Sequence, residues 1–312
     1  MALKSQLVFC RPFLNLLLCL AWCNSLYAEE VPTRGLGAGY ARLVSFEAEP
    51  EISAARFKVD TESPLTDDLE ISTAKLPYYR EFGADGEGLR WFLQATASYL
   101  NMEETLYLQV AEGFTERLEA SWLGYGGLFE GGLLLSLTES FTLAPSFGLG
   151  VTRLENEMDF ATPFFDDLLA PALDGVLYNW DTLATVTRAS VALRYDRDQG
   201  NWRIKGSAYL SGSYVDSFDE SRRFAGFSDE ASNLGLKLDL SHPTGREFRD
   251  YPIYMIGHLG YSSFVGANRD DLGFTDFGEV GISLGVQKFT LGLLGIVGED
   301  VSGWNVQFNY DY

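Results

Sequence analysis

The chain ends on WNVQFNYDY, residues 304–312, in which Trp304, Val306, Phe308, Tyr310 and Tyr312 share one parity and Asn305, Gln307, Asn309 and Asp311 the other. Side chains alternate across an extended strand, so this stretch has one aromatic, apolar face and one face of amides and acid. The pattern recurs upstream. LRWFLQATASY sets Leu89, Trp91, Leu93, Ala95, Ala97 and Tyr99 against Arg90, Gln94, Thr96 and Ser98. NWRIKGSAYLSGSY sets Trp202, Ile204, Ala208, Leu210 and Tyr214 against Arg203, Lys205, Ser207, Ser211 and Ser213. NLGLKLDLS and EVGISLGVQ repeat it with Leu234–Leu240 and Val280–Val286. Runs of this length suit tilted strands crossing a bilayer, for which about 9–11 residues suffice, and exceed the soluble mode of about five or six.

The alternation predicts strands near 51–60, 70–82, 89–100, 116–137, 141–154, 182–197, 201–216, 232–241, 251–264, 275–286, 289–297 and 303–312. Links from even to odd strands are short: GADGEG, ESF, DQG, HPTGREFRD and a tight turn at Gln287-Lys288. The three longest connections, 101–115, 155–181 and 216–231, fall on the other side. Short turns on one side, longer loops on the other and an even strand number predict an all-β fold. It is a transmembrane antiparallel up-and-down β-barrel of about twelve strands, with ten or fourteen as alternatives. An open sheet in lipid would leave edge N–H and C=O groups unpaired. The last strand must therefore pair with the first, and the chain can stop while still in the sheet. One stretch resists. In RLEASWLGYGGLFEGGLLLSL the apolar parity flips from Leu118, Ala120 and Trp122 to Leu133, Leu135 and Leu137. A glycine-associated bulge around 124–132 preserves twelve strands, whereas a hairpin there makes thirteen; the bulge is expected.

Residues 1–28 have Lys4 and Arg11, then an apolar run from Phe13 to Cys23, then Ala28 before two acids. That predicts a secretory signal peptide cut near Ala28, with a lipoprotein signal at Cys23 or a buried helix as alternatives. All three cysteines, Cys10, Cys19 and Cys23, lie in this segment, so the mature chain carries no thiol into an oxidising compartment. Residues 29–50 form a periplasmic or lumen-plugging segment, and 51–312 the barrel.

Removing Lys4 and Arg11 from a net charge of −21 leaves −21 − 2 = −23, which excludes nucleic acid as a partner. Loop 155–181 carries seven acids and no Lys or Arg. Solvated outer loops account for it; divalent-cation bridging to lipopolysaccharide, or a calcium site, is the sharper alternative. By contrast Arg56, Lys58, Arg90, Arg188, Arg194, Arg203 and Lys205 have inward parity and predict a basic lumen, packed against Asp239, Glu279 and Glu119 or acting as an anion-attracting wall. Only His242 and His258 are present. Ser262 shares the parity of His258, but four residues along a strand is about 13 Å, too far for a Ser–His hydrogen bond. No catalytic function, metal or cofactor is expected.

WNVQFNYDY resembles the C-terminal assembly signal of bacterial outer-membrane barrels, in which alternate aromatics end on an aromatic residue. The resemblance implies recognition by the barrel-assembly machinery through Trp304, Val306, Phe308, Tyr310 and Tyr312. The whole mature chain is similar to the twelve-strand translocator barrels of autotransporters, in a solitary form without a passenger domain. The function expected is a monomeric, non-catalytic barrel in the lipid and lipopolysaccharide of the outer membrane. It would be a narrow or plugged pore or a remnant translocator. The alternatives are a surface protein acting in adhesion or envelope stabilisation through acidic outer loops, and a lipid-modifying enzyme.

Overall fold

The computed structural model of the chain describes residues 39–41, 51–61, 66–83, 88–111, 114–164, 167, 174–175, 179–220, 226–266, 269 and 272–310. Twelve strands lie among them: β1 (Ile52–Val59), β2 (Leu69–Phe82), β3 (Leu89–Ala111), β4 (Phe114–Ser136), β5 (Phe141–Phe160), β6 (Trp180–Gln199), β7 (Trp202–Glu220), β8 (Ser228–Phe248), β9 (Tyr251–Val265), β10 (Asp276–Val286), β11 (Phe289–Val297) and β12 (Val301–Tyr310). Each pairs antiparallel with its sequence neighbours, and β1 closes on β12 from Ile52↔Phe308 to Val59↔Val301. The antiparallel barrel expected from the alternation is the fold observed. No described helix is long and apolar enough to cross a membrane; the strands do so.

An exposed apolar belt encircles the barrel. Leu284, Leu291, Leu293, Leu236 and Phe147 are each more than half exposed on its outer face, an arrangement that lipid, not water, satisfies. Aromatic rings edge the belt. Trp91, Phe141, Trp202, Tyr251 and Phe289 lie towards the end that holds the short turns, and Tyr99, Tyr125, Tyr214 and Tyr261 lie towards the other end. On β3, Trp91 to Tyr99 spans eight residues. At ~3.4 Å per residue and a tilt of ~40° this is about 20 Å, close to the height of a barrel's apolar band.

Several strands run well past this belt. β3 continues for twelve residues beyond Tyr99, and the segment 101–115 that alternation assigns to a loop is mostly paired strand, Asn101↔Leu123 through Gln109↔Thr115. β5 and β7 likewise extend to Phe160 and Glu220. On the opposite side HPTGREFRD is not a loop. β8 runs to Phe248, and the turn is Arg249-Asp250, both with positive φ (50° and 67°), as a two-residue hairpin turn requires.

The expected bulge in β4 is absent. β3 and β4 hold one register from Leu89↔Leu135 to Gln109↔Thr115, and β4 and β5 one register from Leu118↔Phe160 to Ser136↔Thr142. Parity never slips. What changes is the surroundings: Tyr125, Phe129 and Leu133 face outwards within the belt, while Leu118, Ala120 and Trp122, at the opposite parity, face inwards above it. The apolar side chains exchange faces because above the belt the outside of the barrel is water.

Candidate functional site

The interior has three levels, set by which residues take the inward positions at each height. At the outer level it is a dry core. Leu100 and Met102 from β3, Leu118, Ala120 and Trp122 from β4, Leu154 and Met158 from β5, Trp180 and Ala184 from β6, and Phe264, Phe274 and Phe277 pack into one buried cluster. Residues 39–41, a helical turn that precedes β1, lie inside this cluster, with Tyr40 and Ala41 buried. The Tyr40 ring rests on the inner wall of β4, where a Cβ on Gly124 would stand 2.9 Å from Tyr40 Cδ2 and one on Gly126 2.7 Å from its hydroxyl. That hydroxyl hydrogen-bonds Ser98 Oγ at 2.6 Å. Two glycines thus make the recess that one tyrosine fills.

At the middle level, buried ion pairs and hydrogen bonds share the interior with a small apolar cluster of Phe92, Leu134, Ala144, Ala192 and Tyr209. Arg188 Nη1 donates to Glu130 Oε2 at 2.9 Å, both side chains almost fully buried. Ser146 and Ser190 share a hydrogen bond of 2.7 Å beside them. Across the lumen, Lys237 Nζ pairs with Glu51 Oε2 at 2.6 Å. On three successive strands His258 Nδ1 meets Asp239 Oδ1 at 2.7 Å and its Nε2 meets Ser283 Oγ at 2.5 Å. The lowest level is a cavity of about 840 Å³ open at the short-turn end, with Arg90, Arg194, Lys205, Glu81, Asp196 and Tyr79 in its wall.

The seven predicted lumen cations do not form one cluster. Arg90, Arg194 and Lys205 line the lower cavity, with Arg90 paired to Glu81 at 2.6 Å. Arg188 lies higher and is neutralised by Glu130. Arg203 stands at the exposed rim, bidentate on Asp196 at 3.0 and 2.7 Å. Arg56 and Lys58 point outwards, because Ala55, Phe57 and Val59 take the inward positions against the outer core. They pair on the outside with Glu70 and Asp68. Glu119, expected inside, is also on the outer wall, paired with Arg117 at 2.8 Å. Trp304, Val306, Phe308 and Tyr310 share the outward face of β12, where Phe289 packs on Phe308 and Tyr310; Tyr312 lies outside the described residues, as does the predicted cleavage near Ala28.

Above the belt the outer wall is acidic. Glu70↔Glu103, Glu103↔Ser121 and Ser121↔Glu157 run as one row across β2–β5, with Thr105↔Glu119 and Glu119↔Asp159 above it. Among the described residues no group of three or more His, Cys, Asp or Glu side chains is placed to hold a metal ion. The acids expected in loop 155–181 are partly in this wall, since β5 carries Glu155, Glu157 and Asp159.

Sequence reasoning missed Tyr40, the Glu130–Arg188 pair, and the association of Asp239 and Ser283 with His258. His258 has the inward parity expected of it, but its partners come from neighbouring strands and not from Ser262.

No curated protein matches the chain in sequence. Among solved structures, the transport unit of the autotransporter AIDA-I from Escherichia coli is similar with a TM-score of 0.52 and 10% identity, over 91% of this chain and 100% of that one. The β domain of the Bordetella autotransporter BrkA gives 0.48 and 12%, over 84% and 97%. The translocator domain of NalP from Neisseria meningitidis gives 0.49 and 8%, over 88% and 93%. The AIDA-I likeness shows the fold. The family described as the solitary outer membrane autotransporter beta-barrel domain matches residues 45–312. The chain therefore belongs to the solitary autotransporter β-barrel domains of the outer membrane.

Proposed function

We propose that the chain works as a sealed barrel of the autotransporter type, a plugged surface protein and not an open conduit. The apolar core across the outer level of the lumen carries this reading, with Tyr40 seated between Gly124, Gly126 and Ser98. A hydrophobic constriction excludes water and with it hydrated solutes, and here the constriction is filled by side chains. A passenger segment could pass only after the core had opened. Delivery follows from a signal peptide cut near Ala28 and from recognition of Trp304–Tyr312 by the barrel-assembly machinery. The barrel then stands as a monomer among lipid and lipopolysaccharide.

Planar-bilayer conductance of the refolded mature chain tests this reading. No steady current is expected from the full chain. Deleting residues 29–50, or replacing Tyr40 by Asp within the dry core, is expected to produce channel openings. Steady porin-like conductance from the unaltered chain would overturn the sealed reading.

A second reading rests on the outer wall. Its acidic rows support bridging through divalent cations to lipopolysaccharide phosphates, in a role of envelope stabilisation. Its measure is the calcium dependence of binding to lipopolysaccharide vesicles, which neutralising Glu103, Glu119 and Glu157 together should abolish.

A further inference from the structure

The middle level holds an arrangement that goes beyond a sealed barrel. Asp239 on β8 and His258 on β9 are direct cross-strand partners. Ser283 on β10 lies two residues along from Gly281, the partner of His258. All three point into the lumen. A carboxylate can only accept, so His258 Nδ1 donates to Asp239 Oδ1 at 2.7 Å. For the neutral imidazole this selects one tautomer. Nε2 carries the lone pair and accepts from Ser283 Oγ at 2.5 Å. Packing alone would be satisfied by any donor–acceptor match. The order found here, carboxylate to Nδ1 and Nε2 to a hydroxyl, is the one that makes a serine oxygen nucleophilic.

One further feature bears on the placement of Ser283. Its backbone partner on β11 is Gly292, and a Cβ there would lie 1.9 Å from Ser283 Oγ. The glycine leaves the hydroxyl the space from which it reaches the imidazole. Ser283 and His258 are buried, and the lower cavity is the open space on the short-turn side of them. Ser283 is three residues from the end of β10 at Val286, roughly 10 Å along the strand. Lys205, the cross-strand partner of Asp239, already lines the lower cavity. Glu51, just before β1, lines the same cavity and pairs with Lys237, two residues from Asp239 on β8.

We propose that Ser283 is an activated nucleophile for acyl transfer from small carboxylic esters that enter from the short-turn end, with His258 as general base and Asp239 as the positioning residue. Ser283 Oγ forms the new bond to the acyl carbon while its proton passes to His258 Nε2. The ester C–O bond breaks and the alcohol leaves with that proton. Water then gives its proton to Nε2 and its hydroxyl to the acyl carbon, which returns Ser283 and releases the acid. The Glu51–Lys237 pair controls entry.

The test uses the folded mature chain in detergent, with strand content followed by circular dichroism. Diisopropyl fluorophosphate is the covalent probe, read by intact mass and peptide mapping, and 4-nitrophenyl acetate is the turnover probe. One adduct on Ser283 and ester hydrolysis are expected, both lost in Ser283→Ala. His258→Gln should slow labelling by at least about a hundredfold, the usual contribution of a general base. Asp239→Asn keeps the shape but not the tautomer, and should slow labelling while the barrel remains folded. Glu51→Ala should speed it. Absence of an adduct in both the unaltered chain and Glu51→Ala, or equal labelling of the folded His258→Gln barrel, would overturn the assignment.

Discussion

The two halves of β3 and β4 obey opposite rules. Within the belt, Leu89, Trp91 and Tyr99 face out and Arg90 faces in; above it, Glu103 faces out while Leu100 and Met102 face in. Along one uninterrupted ladder the same geometry serves two solvents. In the belt the outside is hydrocarbon, so apolar side chains stand there and the charged and hydrogen-bonding groups are held inside. Above the belt the outside is water, and the barrel reverts to the logic of a soluble sheet, with a dry interior and a charged exterior. The parity of a strand tells which residues share a face, never which face is wet.

The contrast can be broken by moving charge between the halves. The largest effect is expected at the buried pair of the middle level. Glu130→Ala removes the carboxylate that neutralises the buried Arg188 guanidinium, and should cost about 3–5 kcal/mol of unfolding free energy in urea titration. Removing the guanidinium from the exposed pair of the outer wall, Arg117→Ala, should cost less than about 1 kcal/mol. Next comes the lipid face. Leu293→Arg, on the exposed outer face of β11, should cost about 2–4 kcal/mol, the range for a charge near the bilayer midplane. An arginine at Thr105, among the acids above the belt, should cost nothing measurable. A small gain is expected from Glu103→Gln, which relieves the like charge of its direct partner Glu70. It should raise stability by a few tenths of a kcal/mol, more at low than at high salt. A cost for Thr105→Arg equal to that of Leu293→Arg would place the belt higher than Tyr99 and Tyr125.

Within the belt the sequence was legible because alternation there has a single reading. All twelve strands, their order and the closure of β12 on β1 follow from it. Most of the errors share one cause, the assumption that the apolar face looks at lipid throughout. It turned the exchange of faces in β4 into a bulge, and the extended wall 101–115 into a loop. It also placed Arg56, Lys58 and Glu119 in the lumen. Phe57 and Val59 face the dry core, and that sends Arg56 and Lys58 outwards. The interior site was hidden for a different reason. Asp239, His258 and Ser283 are 19 and 25 residues apart, and only the cross-strand register brings them together. A search along one strand, such as the pairing of His258 with Ser262, cannot find a neighbour on the next. Once the register is known, the rows of inward polar residues become readable.

Cysteine scanning along β4 tests the exchange of faces most directly, since the native cysteines all lie within residues 1–28 and the remaining chain has none. Single cysteines from 116 to 135, in proteoliposomes, would be challenged with a water-soluble maleimide and with a nitroxide-labelled lipid. The account predicts that 119 and 121 react from water, that 129 and 133 sense only the lipid, and that 118, 120 and 122 meet neither. Aqueous labelling at 118, 120 and 122 with protection at 119 and 121 would contradict it, because the strand would then have slipped its parity at the glycines.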